Sequence, residues 1–339
     1  MTANLLSVRD LKVSYRVGNG HIDAVDGASF DVPRGSIVGL VGESGCGKTT
    51  VARALTRVIA DNARITGGQI LFDGKDIAAI PERQMNALRW RDIAFIPQSA
   101  MNSLDPVYTV EYQLNEVLRR RGGLSAREAR IRCEALFEMV GIEKGRLRDY
   151  PHQFSGGMRQ RVAIALALAL NPKLVIADEP VTALDVIVQR QILDQLRELQ
   201  MMLGISVILV THDISVVAYI CDRTVVMYAG RVAEAGPMEA VLTRPAHPYT
   251  MGLRNAFPDL AGAASGTLTP IDGAPPNLAN PPPGCRFAPR CPFAIELCST
   301  ESPSLAEIVP DHRVACHRAS EASALREIAA RTETWLAHA

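Results

Sequence analysis

Residues 42–49 read Gly-Glu-Ser-Gly-Cys-Gly-Lys-Thr, and the flanks decide what such a segment must be. Ahead of it runs Ser36-Ile37-Val38-Gly39-Leu40-Val41, an apolar stretch with the length of a buried strand; behind it Thr50-Val51-Ala52-Arg53-Ala54-Leu55 reads as helix. Gly42, Gly45 and Gly47 let the backbone turn tightly so that its N–H groups face an anion, and the helix behind adds the positive end of its dipole. Lys48 has the reach for β- and γ-phosphates, and the Thr49 hydroxyl suits Mg²⁺. This is a phosphate-binding loop and not merely a glycine-rich turn. It implies a nucleoside triphosphate held by Gly42, Glu43, Ser44, Gly45, Cys46, Gly47, Lys48, Thr49 and Thr50.

The remaining pattern fits an α/β fold around that loop. Residues 174–177 and 207–210 are short apolar strands separated by a helical stretch at 186–203, the alternation of a parallel core. Residues 5–41 alternate apolar and polar, as antiparallel strands broken at Gly18-Asn19-Gly20 and Pro33-Arg34-Gly35; residues 67–74 form another strand with turn signals at both ends. Residues 110–140 and 155–170 are helical in pattern. Composition shifts near residue 258, where Pro258, Pro270, Pro275, Pro276, Pro281, Pro282 and Pro283 mark a semi-extended linker. The expected layout is a nucleotide-binding domain over 1–257 with a helical subdomain at about 99–170, a linker over 258–284, and an extension over 285–339 that carries cysteines and a helical tail.

Charge and hydropathy narrow the setting. Of the 339 residues, 36 are basic and 36 acidic, so no net field draws the chain to nucleic acid or an anionic membrane. Arg9, Asp10 and Lys12 precede any long apolar run, so no secretory signal is expected. The longest apolar candidate, 162–170, is cut by Asn171-Pro172, well short of the roughly 20 residues a membrane span requires. A soluble, cytoplasmic chain is expected, one that would need other chains for any channel.

Further acids and a second anion site complete the chemistry. Leu174-Val175-Ile176-Ala177-Asp178-Glu179 delivers two carboxylates to the end of a strand, where ligands bind in open α/β sheets. Asp178 suits Mg²⁺ and Glu179 suits a general base for the attacking water. His212, at the end of the next apolar strand, is placed to contact a γ-phosphate. Phe154-Ser155-Gly156-Gly157-Met158 opens a helix that Ser155 can cap, with its first N–H groups bared by glycine. One nucleotide does not need both this surface and the phosphate loop. Two copies arranged head to tail would use each once, so a dimer is expected.

These motifs, in this order, resemble the ATP-binding subunit of an ABC transporter, with Walker A at 42–49, Walker B at 174–179 and the signature at 154–158. The resemblance implies ATP as nucleotide, a P-loop NTPase core of ABC type with an antiparallel β subdomain and a helical subdomain, and a Q-loop glutamine at Gln98 that also reaches Mg²⁺. It implies a D-loop at Ala183-Leu184-Asp185, a switch role for His212 beside the catalytic Glu179 and Gln98, and Tyr15 as the ring that stacks on adenine. The signature departs from the family pattern at Phe154 and Met158, where leucine and glutamine are usual, with Ser155, Gly156 and Gly157 intact. Cys46 stands where serine is common, a small residue whose thiol is a candidate for alkylation.

Within the family, the signature, the element Arg244-Pro245-Ala246-His247-Pro248-Tyr249-Thr250, and Gly284-Cys285-Arg286-Phe287-Ala288-Pro289-Arg290-Cys291-Pro292 resemble the D-type subunit of oligopeptide, dipeptide and nickel permeases. The resemblance implies an importer with a second ATPase (an F-type partner or a copy), two permease subunits contacted by residues 99–113, and an extracytoplasmic substrate-binding protein. It places the chain on the cytoplasmic face of the inner membrane, with no nucleic acid. The alternative is a soluble ABC ATPase acting on nucleic acid or ribosomes.

Four of the seven cysteines, Cys285, Cys291, Cys298 and Cys316, are spaced Cys-x₅-Cys-x₆-Cys-x₁₇-Cys. Four thiolates hold either tetrahedral Zn²⁺ or a [4Fe–4S] cluster. The lack of a short Cys-x₂₋₄-Cys knuckle and Pro292 directly after Cys291 favour the cluster over zinc, and the resemblance adds that some relatives with this extension carry one. Unliganded thiols or oxidised pairs stay open.

Overall fold

The three apolar runs read as strands are strands, and their burial explains why they show no alternation. All five residues of Ile37–Val41, all five of Leu174–Asp178 and all six of Ser206–Thr211 are buried, as in parallel strands covered on both faces. They are seen in a computed structural model, which describes residues 4–98, 103–182, 184–256 and 270–336. The chain divides into two compact units: one gathers residues up to Leu5, Val32–Ile37 and Ala79–Val210, the other Leu6–Asp31, Val38–Ala78 and the chain from Thr211 onward.

In the first unit the strand Ile93–Ile96 pairs in parallel with Leu174–Asp178, which pairs in parallel with Ser206–Thr211. The crossover between the last two is the helix Val186–Leu203. Asp185 caps it by accepting the Val188 N–H at 2.9 Å, and Gly204, at φ 64°, ends it. Its buried Ile192, Leu193, Leu196 and Leu199 recur at helical spacing. Each such side chain contributes about 1.5–3 kcal/mol on burial, against intrinsic helix preferences below about 0.7 kcal/mol per residue, so packing fixes this helix. The stretch 110–140 is not continuous. Val110–Glu116 continues in a wider helical turn at Val117–Arg121, the chain breaks at Gly122-Gly123, and Ala126–Met139 begins anew with a reciprocal Ser125–Glu128 cap.

The second unit holds two sheets. One runs in the order Gly20–Pro33, Asn4–Val17, Ala63–Phe72, Lys75–Asp76. The strand expected to begin at Gly67 begins at Ala63 and passes through Gly67-Gly68, where the register slips between Arg9↔Gln69 and Lys12↔Gly67. Gly68 has φ 85°, and a Cβ there would lie 2.3 Å from the Asp10 carbonyl oxygen. The glycine pair is therefore a bulge and not a turn. In the other sheet Ile37–Val41 lies parallel to Arg223–Tyr228, which turns through Ala229-Gly230 into Arg231–Pro237. The extension adds His312–Val314 to that strand and then Ala306–Val309. The helix Ala322–Ala329 docks on Pro248–Asn255: the Ala329 carbonyl accepts from Asn255 Nδ2 at 2.6 Å and from Trp335 Nε1 at 2.8 Å. The described extension thus belongs to the unit that holds the phosphate loop. Of the expected linker, 258–269 lies outside the described residues, and 270–284 contains neither helix nor strand.

Candidate active site

The phosphate loop joins the strand Ile37–Val41 to the helix Lys48–Thr56. Two of its glycines are required by close backbone approach. At Gly42 (φ 155°) a Cβ would lie 2.1 Å from the Met227 carbonyl oxygen, and at Gly47 (φ 103°) 2.4 Å from that of Ala24. Lys48 is buried, and its Nζ curls back over the loop to donate to the carbonyls of Gly42 at 2.7 Å and Glu43 at 2.8 Å. Ser44 and Gly45 are exposed at the crest. Cys46 is only 3% exposed, and burial pushes its thiol pKa up. The alkylation for which its thiol was a candidate is therefore not supported: a buried, protonated thiol is a poor nucleophile. In the same unit the Tyr15 and Thr50 hydroxyls lie 3.3 Å apart beside the start of the helix, and His212 is exposed directly after the strand Ser206–Thr211.

In the first unit the parallel register explains how Gln98 meets Glu179. Ile96 lies opposite Ala177, so two residues further along each strand the side chains reach one another. Gln98 Nε2 donates to Glu179 Oε2 at 3.0 Å. Thr182, which the sequence reading passed over, donates its hydroxyl to the same oxygen at 2.9 Å. Glu179 has φ 48°, an uncommon backbone for a non-glycine residue, and its N–H is held by the Val210 carbonyl at 2.8 Å. Asp178, one residue earlier, is 1% exposed. The carboxylate, hydroxyl and amide oxygens of Asp178, Thr49 and Gln98 are the hard donors that suit Mg²⁺.

Ser155 caps the helix Gly156–Ala167 by accepting the Met158 N–H at 3.3 Å. A Cβ on Gly157 would meet Val188 Cγ1 at 2.6 Å, so the helix after the D-loop demands glycine there. Ala183 of the D-loop lies outside the described residues, as do 99–102 at the start of the expected permease contact.

A profile of the family "ABC transporter" matches residues 25–182, and one of "Oligopeptide/dipeptide transporter, C-terminal region" matches residues 233–298. The dipeptide transport ATP-binding protein DppD of Bacillus subtilis is 45% identical over 92% of this chain and 94% of its own. The oligopeptide transport ATP-binding protein OppD of Escherichia coli is 46% identical over 94% of both chains. The chain belongs to the ABC transporter family. It is an ATP-binding and ATP-hydrolysing subunit, for which ATP and Mg²⁺ are the nucleotide and ion expected. Solved ABC cassettes share its fold. A dimeric, ADP- and phosphate-bound MJ0796 cassette superposes with TM-score 0.61 at 28% identity over 69% of this chain and 98% of that one. CbiO1 of Clostridium perfringens gives 0.60 at 30% identity, over 70% and 90%. The nucleic-acid or ribosomal alternative finds no support among these relatives.

The region that marks this branch of ABC ATPases is tied into the second unit by a buried acid. Glu234 is 0% exposed; its carboxylate accepts the N–H groups of Ala246 at 2.8 Å and His247 at 2.9 Å and faces His312 Nε2 at 2.7 Å. His247 Nδ1 in turn accepts the Tyr249 N–H at 3.0 Å and so caps the helix Pro248–Asn255. Burial pulls the His247 pKa down to about 4, which keeps the ring neutral and able to accept.

Cys285, Cys291, Cys298 and Cys316 border a single cavity with His247, Phe287 and Phe293, and none is in a disulfide. Burial pushes the Cys291 thiol up to about 12 and the Cys316 thiol up to about 11. Among the described residues, however, no three His, Cys, Asp or Glu side chains are placed to hold one metal ion. That placement supports neither the [4Fe–4S] cluster expected from the spacing nor its zinc alternative.

Proposed function

We propose that this chain powers the import of di- or oligopeptides. The observation that carries the reading is the match of residues 233–298 to the oligopeptide/dipeptide C-terminal region, together with peptide-transport relatives aligned over more than 90% of the chain. Two such ATPases, copies or a D-type and F-type pair, close head to tail, each nucleotide lying between one subunit's phosphate loop and the other's Ser155-Gly156-Gly157. Glu179 polarises the attacking water; Gln98 and His212 respond to the γ-phosphate; Tyr15 stacks on adenine. Thr49, Asp178 and Gln98 hold Mg²⁺, which when bound neutralises charge on the phosphate oxygens. Residues 1–257 form the ATPase domain and 258–284 join it to the extension.

Among the described residues no helix is long and apolar enough to cross a membrane. The peptide-transport relatives support the reading that the chain acts from the cytoplasmic face of the inner membrane through two permease subunits, fed by a substrate-binding protein. The four-cysteine cavity is read as a [4Fe–4S] site in preference to zinc, because the spacing lacks a short Cys-x₂₋₄-Cys knuckle and Pro292 follows Cys291. Anaerobic protein without iron contradicts that part.

The test of the import reading is reconstitution of the chain with its permease subunits and binding protein in vesicles. Peptide should stimulate ATP turnover and accumulate inside. Turnover that ignores peptides, or responds instead to nickel complexes or oligosaccharides, overturns the peptide assignment.

A further inference from the structure

Glu43, the second residue of the phosphate loop, is gripped twice by the C-terminal part of the chain. Its N–H donates to the Tyr249 hydroxyl at 2.9 Å, and its carboxylate accepts Arg290 Nη1 at 2.8 Å. The Arg290 side chain is only 8% exposed. Three further donors are committed to the Tyr228 hydroxyl at 3.2 Å, the Ile271 carbonyl at 3.2 Å and the Asp272 carbonyl at 2.8 Å. Tyr249 is fixed in place, because Phe287 packs against the Tyr228 and Tyr249 rings at 5.1 and 5.4 Å between centroids.

A second arginine supports the far side of the same loop. Arg286 donates to Asp26 at 2.7 Å and to the Ala229 carbonyl, and the adjacent Gly230 N–H donates to the Cys46 carbonyl at 2.9 Å. A segment of seven residues, Cys285 to Cys291, therefore braces the phosphate loop near Glu43 and near Cys46.

The energetics give this bracing a purpose. Gly42, Gly45 and Gly47 all have positive φ, and a loop this rich in glycine loses more backbone entropy on ordering than any other composition. Unless the fold orders it beforehand, nucleotide binding must supply that cost. A charge-assisted bond from a largely buried guanidinium with four N–H groups engaged to the residue after Gly42 orders it beforehand, as does a tyrosine hydroxyl fixed on the same residue's N–H.

We propose that Arg290 and Tyr249 are positioning residues for the phosphate loop: through Glu43 they hold the backbone that receives the nucleotide's phosphates, so the cysteine-bearing segment is part of the ATP-binding apparatus. The proposal rests on the ATPase assignment and not on what is transported.

Fluorescent-nucleotide binding and steady-state ATPase, measured on the full chain, test it. Arg290→Ala and Glu43→Gln should each raise the Kd for ATP by about tenfold, with kcat at saturating ATP much less affected. The double variant should be no weaker than Arg290→Ala alone, because Glu43→Gln only weakens a bond that Arg290→Ala already removes. Tyr249→Phe deletes only the hydroxyl and should also weaken binding, while Arg290→Lys should recover part of the affinity. Unchanged Kd in Glu43→Gln and Tyr249→Phe, or additive losses in the double variant, overturn the proposal and leave the contacts as structural staples. A wild-type chain that binds no ATP contradicts the ATPase assignment instead.

Discussion

Phe154 and Met158, the two residues at which the signature departs from its family pattern, share one neighbour. The Arg146 guanidinium lies 4.5 Å from the Phe154 ring centroid and donates to Met158 Sδ at 3.2 Å, while its other nitrogens hold Asp149 at 2.8 Å and the Gln153 carbonyl at 2.8 Å. An aromatic face and a polarisable sulfur suit a cation that leucine could not stack against, so the two departures form a local set and leave the Ser155 cap intact. That relation was hidden in the sequence, since Arg146 carries no motif. The roles of His247 and Tyr249 were equally hidden. His-Pro-Tyr served only as a family mark until the structure gave each residue a bond. His247 also carries a pH dependence. Its folded pKa of about 4 lies below the usual 6.5, with burial the main cause and Glu234 opposing it. The unfolded chain therefore takes up the proton first: the stability His247 contributes is whole above about pH 6.5 and drains away as pH falls toward 4. His247→Asn, which keeps a capping acceptor, should show a smaller loss of urea midpoint over that interval than wild type; equal losses contradict the assignment.

Among the elements, those that read most clearly were the ones buried on both faces. Ile37–Val41, Leu174–Asp178 and Ser206–Thr211 are continuous apolar runs between turn signals, and their nature follows from composition. Ala306–Val309 and His312–Val314 could not be read that way. The first is exposed throughout, and both owe their strand form to pairing: His312–Val314 adds to Arg231–Pro237, and Ala306–Val309 adds to His312–Val314. What fastens that pairing is Glu234, which joins its own strand to the start of the helix Pro248–Asn255 and to His312. Glu234→Ala would leave two buried N–H groups and a histidine without their acceptor, at a cost of about 3–5 kcal/mol. Equilibrium unfolding should report a loss of that size, and limited proteolysis should open the chain near 306–314 first. A loss below about 1 kcal/mol would place the fastening elsewhere.

At the scale of the whole molecule, the nucleotide chemistry was legible because phosphate loops, acidic strand ends and capped glycine pairs keep their residues close in sequence. The bracing of the loop by Arg290 was not, because 247 positions separate Arg290 from Glu43 and nothing local links them. The chain that emerges is an ABC ATPase whose phosphate loop and described C-terminal extension form one compact unit, while Asp178, Glu179, Gln98 and the signature lie in the other. Glu179, proposed as the base on which turnover depends, is held at its carboxylate by Gln98 and Thr182 and at its N–H by Val210. The most direct measurement is single-turnover ATP hydrolysis by Glu179→Gln in the assembled transporter, with bound nucleotide identified after quenching. ATP should remain bound and unhydrolysed, with turnover lower by about 100-fold or more, the scale of a general-base contribution; hydrolysis at the wild-type rate would contradict the assignment of Glu179 as the catalytic base.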